Sequence, residues 1–300
     1  MRKGKRFTPA WIRSAIADGR GQGTGNDYVP WHQIRRADPG SRGRSHLQQW
    51  LLDRLHHLLS DQELAAFLFA TMGEKPMDLR EQFPLARDVH EIELASYCAA
   101  EAGRMAPGTR ALAVELGIRH PIVRHEGDKE DWVMTTDLLI TNQSQGTGPS
   151  LLAVSVKTEE DTKVPRKRDL LLIERSYWQA QDAEWLLYVP TDHNALTLRT
   201  VLEAVPWALH RPCQAAHRIE ACAQLAATLD GLPLRRAFDV LTRHLGIDLV
   251  EAQRVFWQSV WTGRTPLRLD RFDLQLDPIE LLDDSSFWAQ NPIVSRRSSW

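Results

Sequence analysis

Cysteine is scarce in this chain: Cys98, Cys213 and Cys222 are the only three in 300 residues, and they lie far apart. An odd and scattered set argues against both a disulfide framework and a zinc cluster. His56 and His57 are adjacent but have no further His or Cys at ligand spacing, so they read as capping or surface residues. No run of about 18 apolar residues occurs, so no membrane span is expected. The first residues, "MRKGKRFTPAW", are basic but lack the apolar stretch of a secretory signal, which leaves a cytoplasmic location as the default expectation. Internal repeats and low-complexity tracts are also missing. The glycine-rich "GRGQGTG" at 19–25 has neither the Lys-Ser/Thr pair nor the preceding apolar strand of a phosphate-cradling P-loop. It reads instead as a flexible basic loop placed to touch a DNA backbone.

What is present is ordinary in bulk and uneven in detail. Apolar residues make up 43% and charged residues 25%, as in soluble globular proteins, and 300 residues suffice for two domains. The formal net charge is −2, yet residues 1–54 hold eleven Lys and Arg against four Asp, a local +7. Such an arm either contacts a polyanion or is a solvated tail.

The pattern along the chain predicts an α/β domain with a central mixed sheet. "HLQQWLLDRLHHLL" at 46–59 fits a strand pair or a helix equally. Residues 58–72 predict a helix, with Ser60 as N-cap and Glu63 three residues later in the capping-box position, its side chain reaching back to the cap's backbone N–H. A strand at 77–85 ends at Pro84; residues 88–118 are alanine-rich and predict helix with a break at Pro107–Gly108. Strands at 131–141 and 151–157 flank a turn-rich connector, and a helix at 168–181 leads to a strand at 184–190. From Pro206 the texture becomes mainly helical, with helices at 216–229, 233–245 and 249–261 and a hairpin wing at 263–276. That order fits a winged helix-turn-helix.

One constellation carries chemistry. If the connector 142–150 turns near residue 146, paired residues on its two strands sum to about 292, which sets Asp137 opposite Ser155. Positions two apart share a face, so Ser155 and Lys157 face one way and Val154 and Val156 the other. Burying an unpaired carboxylate is costly, so a cation or a metal is expected beside Asp137. Metal-dependent phosphodiester hydrolysis needs carboxylates for the ion and a positive group near the attacking water or the developing charge. The plainer reading is an Asp–Lys ion pair at a hairpin edge, worth little if exposed.

Taken together, "GRGQGTGNDYVPW" (19–31), "GRSH" (43–46), "LHHLLSDQELAAFLF" (55–69), "LREQFPL" (79–85), "IRHP" (118–121), "VMTTDLLI" (133–140), "VSVK" (154–157) and "IERSYWQ" (173–179) resemble the TnsA family, the endonuclease subunit of the heteromeric transposases of Tn-seven-like elements. The resemblance runs in order over about residues 10–200. It implies a restriction-endonuclease-like domain at 55–205, preceded by a basic arm at 1–54 and followed by a winged-helix-like partner-binding domain at 206–300. It implies a Mg²⁺-dependent endonuclease, with two ions for which Mn²⁺ substitutes, that cuts the 5′ ends of a transposon. A TnsB-type transposase cuts the 3′ ends, and a TnsC-type AAA+ regulator docks on the C-terminal domain. Matched position by position, the catalytic set is Glu63, Asp137 and Lys157. Glu63, Asp137 and the Val156 backbone carbonyl are the metal ligands, with Ser155, Glu81 and Glu174 as further candidates. Ser155 departs from the family, which often has Gln there. Arg20, Arg42, Arg44, Lys163, Arg166, Lys167 and Arg168 are the candidate DNA contacts, whereas Tyr177 and Trp178 read as core. The helix 249–261 has Arg254 as its only cation and many large apolar residues, which reads as a protein-docking face. Two other roles stay open: an inactive assembly module bridging transposase and regulator, and a free-standing repair nuclease.

Overall fold

The structure is a computed structural model that describes residues 7–36, 38, 43–50, 53–144, 148–190, 192–209, 213–270, 278–298 and 300, with backbone only for Ser144 and residues 192–194. Residues 1–6 of the basic arm, Arg42 and most of the expected wing's far half, 271–276, lie outside the described residues. The chain forms two compact units, Met1–Ala66 with Pro76–Val189 and Ser298–Trp300, and Phe67–Lys75 with Pro190–Arg297.

The first unit begins with α1 (Pro9–Ala17), inside the segment read as an arm. Thr8 caps it by accepting the Trp11 N–H, Pro9 suits its first turn, and Ile12 and Ala15 pack on Trp31 and Val133. Strands β1 (His46–Gln49) and β2 (Leu55–Leu58) pair antiparallel, which resolves 46–59 as a strand pair. Helix α2 (Asp61–Ala70), whose last residues from Phe67 are counted with the second unit, and strand β3 (Asp78–Pro84) follow as expected. The region 88–118 differs from expectation. It contains a minimal pair, β4 (His90–Glu91) with β5 (Met105–Ala106), around two 3-10 turns, and α-helix only in α3 (Thr109–Glu115). Alanine favours helix, but short helices depend on tertiary burial, and Gly103 at φ 78° ends the run. The hairpin β6 (Ile122–His125) and β7 (Asp128–Asp131) was not foreseen. Then come β8 (Thr135–Ser144), β9 (Gly148–Val156), α4 (Glu159–Lys163), α5 (Pro165–Gln179) and β10 (Glu184–Tyr188).

The central sheet has the order β10-β9-β8-β3, with β10 parallel to β9 and the other neighbours antiparallel. It is the mixed sheet that the pattern predicts. Leu138 pairs with Val154 and Ile140 with Leu152, so paired numbers sum to 292, the expected register. Leu139, Leu151 and Ala153 pack on Ile173, Tyr177 and Trp178 of α5, confirming both aromatics as core.

The second unit is helical: α6 (Asp192–Ala208), α7 (Ala216–Gln224), α8 (Ala226–Leu229), α9 (Leu234–Leu245), α10 (Leu249–Trp261) and α11 (Asp284–Ala289). Helix α6 runs through Pro206, where the compositional change was placed, and the expected helix 216–229 breaks at Leu225 into α7 and α8. Gly246 ends α9 in the left-handed region at φ 63°, and Asp248 caps α10 by accepting the Glu251 N–H. The expected docking face on α10 is corrected. Val255, Phe256, Trp257, Val260 and Trp261 are all buried, and only Leu249 and Val250 in the first turn are exposed. A helix apolar on most sides is a core helix. Among the described residues no helix is long and apolar enough to cross a membrane.

The packing of β8 on α5 sets an expected cost. Leu139→Ala removes a fully buried side chain and should destabilise the protein by about 3 kcal/mol in chemical denaturation. A change below about 1 kcal/mol would mean that this face is not the core.

Candidate active site

The site forms where the β8–β9 ladder runs out. The last ladder pair toward this end is Leu138 with Val154. One step further, the Asp137 Oδ2 accepts the Val156 backbone N–H at 2.7 Å and the Lys157 Nζ at 2.6 Å. Lys157 Nζ also donates to the Val156 carbonyl at 2.8 Å. The strand end thus gathers one carboxylate, one ammonium and one carbonyl, with Asp137 nearly buried and the Lys157 side chain only partly exposed.

Glu63 arrives from the first turn of α2. Its N–H is capped by Ser60 Oγ at 3.1 Å, as the capping box predicts. Its carboxylate accepts the Leu59 N–H at 2.8 Å, one residue before the cap N–H that the motif normally engages. The same Oε2 accepts Gln82 Nε2–H at 2.8 Å, so capping and site duties coexist on one side chain. Burial, and then the negative charge of Asp137, push the Glu63 carboxyl up to about 8, against the pull of Leu59 N–H and Lys157. Glu63 and Asp137 are therefore close enough to repel.

Gln82 was not named from sequence. It sits at φ 50° in β3 and is left out of the ladder: Glu81 pairs with Leu138 and Phe83 with Thr136, and the gap falls opposite Asp137. Left-handed conformation at a non-glycine residue is costly and concentrates at functional sites. A glutamine inside an alternating strand carries no sequence signal for it.

A buried polar layer lies behind the strand end. Ser155 Oγ donates to Glu174 Oε1 at 2.5 Å, Thr136 Oγ1 donates to the same oxygen at 2.7 Å, and Trp178 Nε1–H donates to Thr136 Oγ1 at 2.7 Å. Burial raises the Glu174 carboxyl, with Lys157 opposing. Burial lowers the Lys157 ammonium, but Asp137, Glu174 and Glu63 together hold it above the ordinary lysine value. Lys157 is therefore a cation at neutral pH.

Glu81 is elsewhere. Fully buried, it accepts Arg54 Nη1 on both carboxylate oxygens at 2.9 Å, His56 Nδ1 at 2.8 Å and the His57 N–H at 2.9 Å. Burial alone would raise its carboxyl, yet His56 and Arg54 hold it below the usual range. It fastens the β1–β2 hairpin to β3. The reading of His56 as capping or surface is thereby corrected, and His57 Nδ1 accepts the Ile34 N–H at 2.9 Å.

The candidate DNA contacts divide. Arg20 is buried on Asp38 at 2.7 Å and on the Trp31 carbonyl at 3.2 Å. The loop 19–25 around it is packed, with Gly21 so close to Pro84 that a Cβ would stand 2.1 Å from its ring. Arg44 is exposed and reaches Asp61 at 2.9 Å. Lys163 pairs with Glu159, Lys167 with Asp161, Arg166 donates to the Arg119 carbonyl, and Arg168 lies over the Trp300 ring. Arg166, Lys167 and Arg168 crowd the first turn of α5, where the helix dipole disfavours cations and an outside polyanion would be welcome.

Among the described residues no group of three or more His, Cys, Asp and Glu could hold a metal ion. The donors here are two carboxyl groups and a carbonyl, all hard oxygens, the donor type that a hard divalent cation takes. Residues 78–189 match the family described as TnsA-like endonuclease N terminal. The chain is 34% identical over 203 residues to the transposon Tn7 transposition protein TnsA of Escherichia coli, covering 67% of this chain and 63% of that protein. It therefore spans less than two thirds of that relative's length.

The Glu63 shift predicts a pH dependence. Its folded value of about 8 exceeds the ordinary 4.5, so between them the folded state holds a proton that the unfolded state has released. The stabilisation is complete below about 4.5 and is lost as pH rises through about 8. With chelator present, Tm should fall across this window, and Glu63→Gln should flatten the fall. An equal slope in both proteins would remove Glu63 as its cause.

Proposed function

The chain belongs to the TnsA family, and on that premise we propose that it is a Mg²⁺-dependent DNA endonuclease that cuts the 5′ ends of a transposon during cut-and-paste transposition. The observation that carries this reading is the convergence of Glu63 from α2, Asp137 from β8 and Lys157 from the end of β9 at one strand terminus. Glu63, Asp137 and the Val156 carbonyl would hold the metal, a sparse set that suits an ion retaining waters and taking substrate phosphate. When bound, Mg²⁺ (or Mn²⁺, singly or as a pair) supplies Lewis-acid polarisation of the phosphodiester. Asp137 orients Lys157, and Gln82 and Leu59 orient Glu63. Lys157, kept charged by three carboxylates, supports the negative charge that develops on the phosphate rather than acting as a base.

A TnsB-type transposase would cut the 3′ ends, and a TnsC-type AAA+ regulator would engage residues 206–300. The finer winged-helix reading of that region is supported by the tight Gly246 turn between α9 and α10. Lys163, Arg166 and Lys167 follow the site in sequence and would meet the DNA backbone through α4 and the start of α5.

One observation favours a second reading. Ser155, which stands where the family often has Gln, is fully buried and spends its hydroxyl on Glu174. It has no reach toward substrate, which fits a chain that has kept its assembly role and lost cutting. Product type separates the two readings: simple insertions support the nuclease, and cointegrates support the assembly module.

Asp137→Ala should abolish 5′-end nicking while 3′-end cleavage by the partner persists, read on sequencing gels of end-labelled donor DNA. Lys157→Ala should reduce 5′ nicking at least about 100-fold, the scale for losing one charge-stabilising donor. Clean double-strand excision by the Asp137→Ala protein would disprove the assignment.

A further inference from the structure

The β6–β7 hairpin places two like charges face to face. Arg124 and Lys129 are direct cross-strand partners, both exposed. Like charges in this position destabilise a strand pair. The two residues of the tip, Glu126 and Gly127, are both at positive φ, 50° and 83°, the tight two-residue turn that fixes this register.

Three of the hairpin's four acids are engaged away from this pair, and the fourth, Glu126 at the exposed tip, lies 3.8 Å from His125. Asp128 pairs with Arg13 at 2.7 Å, Glu130 with Arg87 at 2.6 Å and Asp131 with Arg110 at 2.6 Å. Three arginines from α1, the loop after β3 and α3 thus neutralise the strand acids and brace the hairpin, while Arg124 and Lys129 have no ion pair among the described residues. Alternation puts Val123, Asp128 and Glu130 on the face toward α1, and Arg124 and Lys129 on the other. Just before β6, the exposed Arg119 gives its carbonyl to Arg166 at 2.6 Å, which joins the base of the hairpin to the cationic first turn of α5.

We propose that the β6–β7 hairpin is a DNA-backbone finger, on which Arg124 and Lys129 take adjacent phosphates and Arg119 continues the track to Arg166. The inference rests on the nuclease reading and deepens it, by assigning a nucleic-acid contact to a segment outside the catalytic set. The bracing by Arg13, Arg87 and Arg110 makes the finger rigid, and the uncompensated cation pair is what a polyanion would offset.

The test is the salt dependence of binding between the full-length chain and a linear random-sequence DNA duplex, with Ca²⁺ present to prevent cutting. Converting Arg124→Gln and Lys129→Gln together should reduce the slope of log K against log salt by about two, one per lost phosphate contact. Tm should stay unchanged or rise slightly, because the repulsion is removed. An unchanged slope in the variant, with salt-dependent binding by the parent chain, would overturn the finger alone. A Tm loss of several degrees would assign the two cations to the fold and overturn it too. Failure of the parent chain to bind duplex DNA at low salt would overturn both this inference and the nuclease reading.

Discussion

Two carboxyl groups, Glu63 and Asp137, share a buried strand end with one lysine, a crowding of acids that is costly where water is excluded. The polar contacts at this point serve to tolerate it. Leu59 N–H and Gln82 hold Glu63, Val156 N–H and Lys157 hold Asp137, and a third buried carboxyl, Glu174, is tied down by two hydroxyls. Carboxyl groups so confined favour protonation, which is why Glu63 is pushed up to about 8.

Much of this was legible in the chain, for identifiable reasons. The register of β8 on β9, seen in Leu138 with Val154, followed from the centre of one turn, and the strict period of two then set Asp137 one step beyond that pair. Glu63 was visible through Ser60, because a capping box is a local hydrogen-bond pattern. Other features were invisible because their cause is not local. Gln82 gives no sign of its left-handed backbone, which coincides with the ladder gap opposite Asp137. Glu81 matched its segment of the family but serves as the anchor of a hairpin. The apolar residues of α10 read as a docking surface in the sequence, but they are buried where α6, α7 and α9 pack on that helix. The β6–β7 hairpin carries almost no apolar alternation, so the usual strand signal was absent.

The ion pairs follow a similar division. Arg20, which looked like a DNA contact, is spent inside the protein on Asp38. Arg13, Arg87 and Arg110 are likewise spent on holding the hairpin. Net charge along the sequence therefore misplaces the basic surface. What faces solvent depends on which cations have already been claimed by acids from distant segments.

Helix α5 has a consequence for how this protein can change over time. Its first turn carries cations outward, and two turns later Glu174 points inward beneath Ser155 and Thr136. Each residue added or removed between them would turn one end against the other by about 100°. Substitutions there can be absorbed one at a time, but a change in length cannot. The spacing from Arg166 to Glu174 is therefore fixed more tightly than the identity of most residues within it.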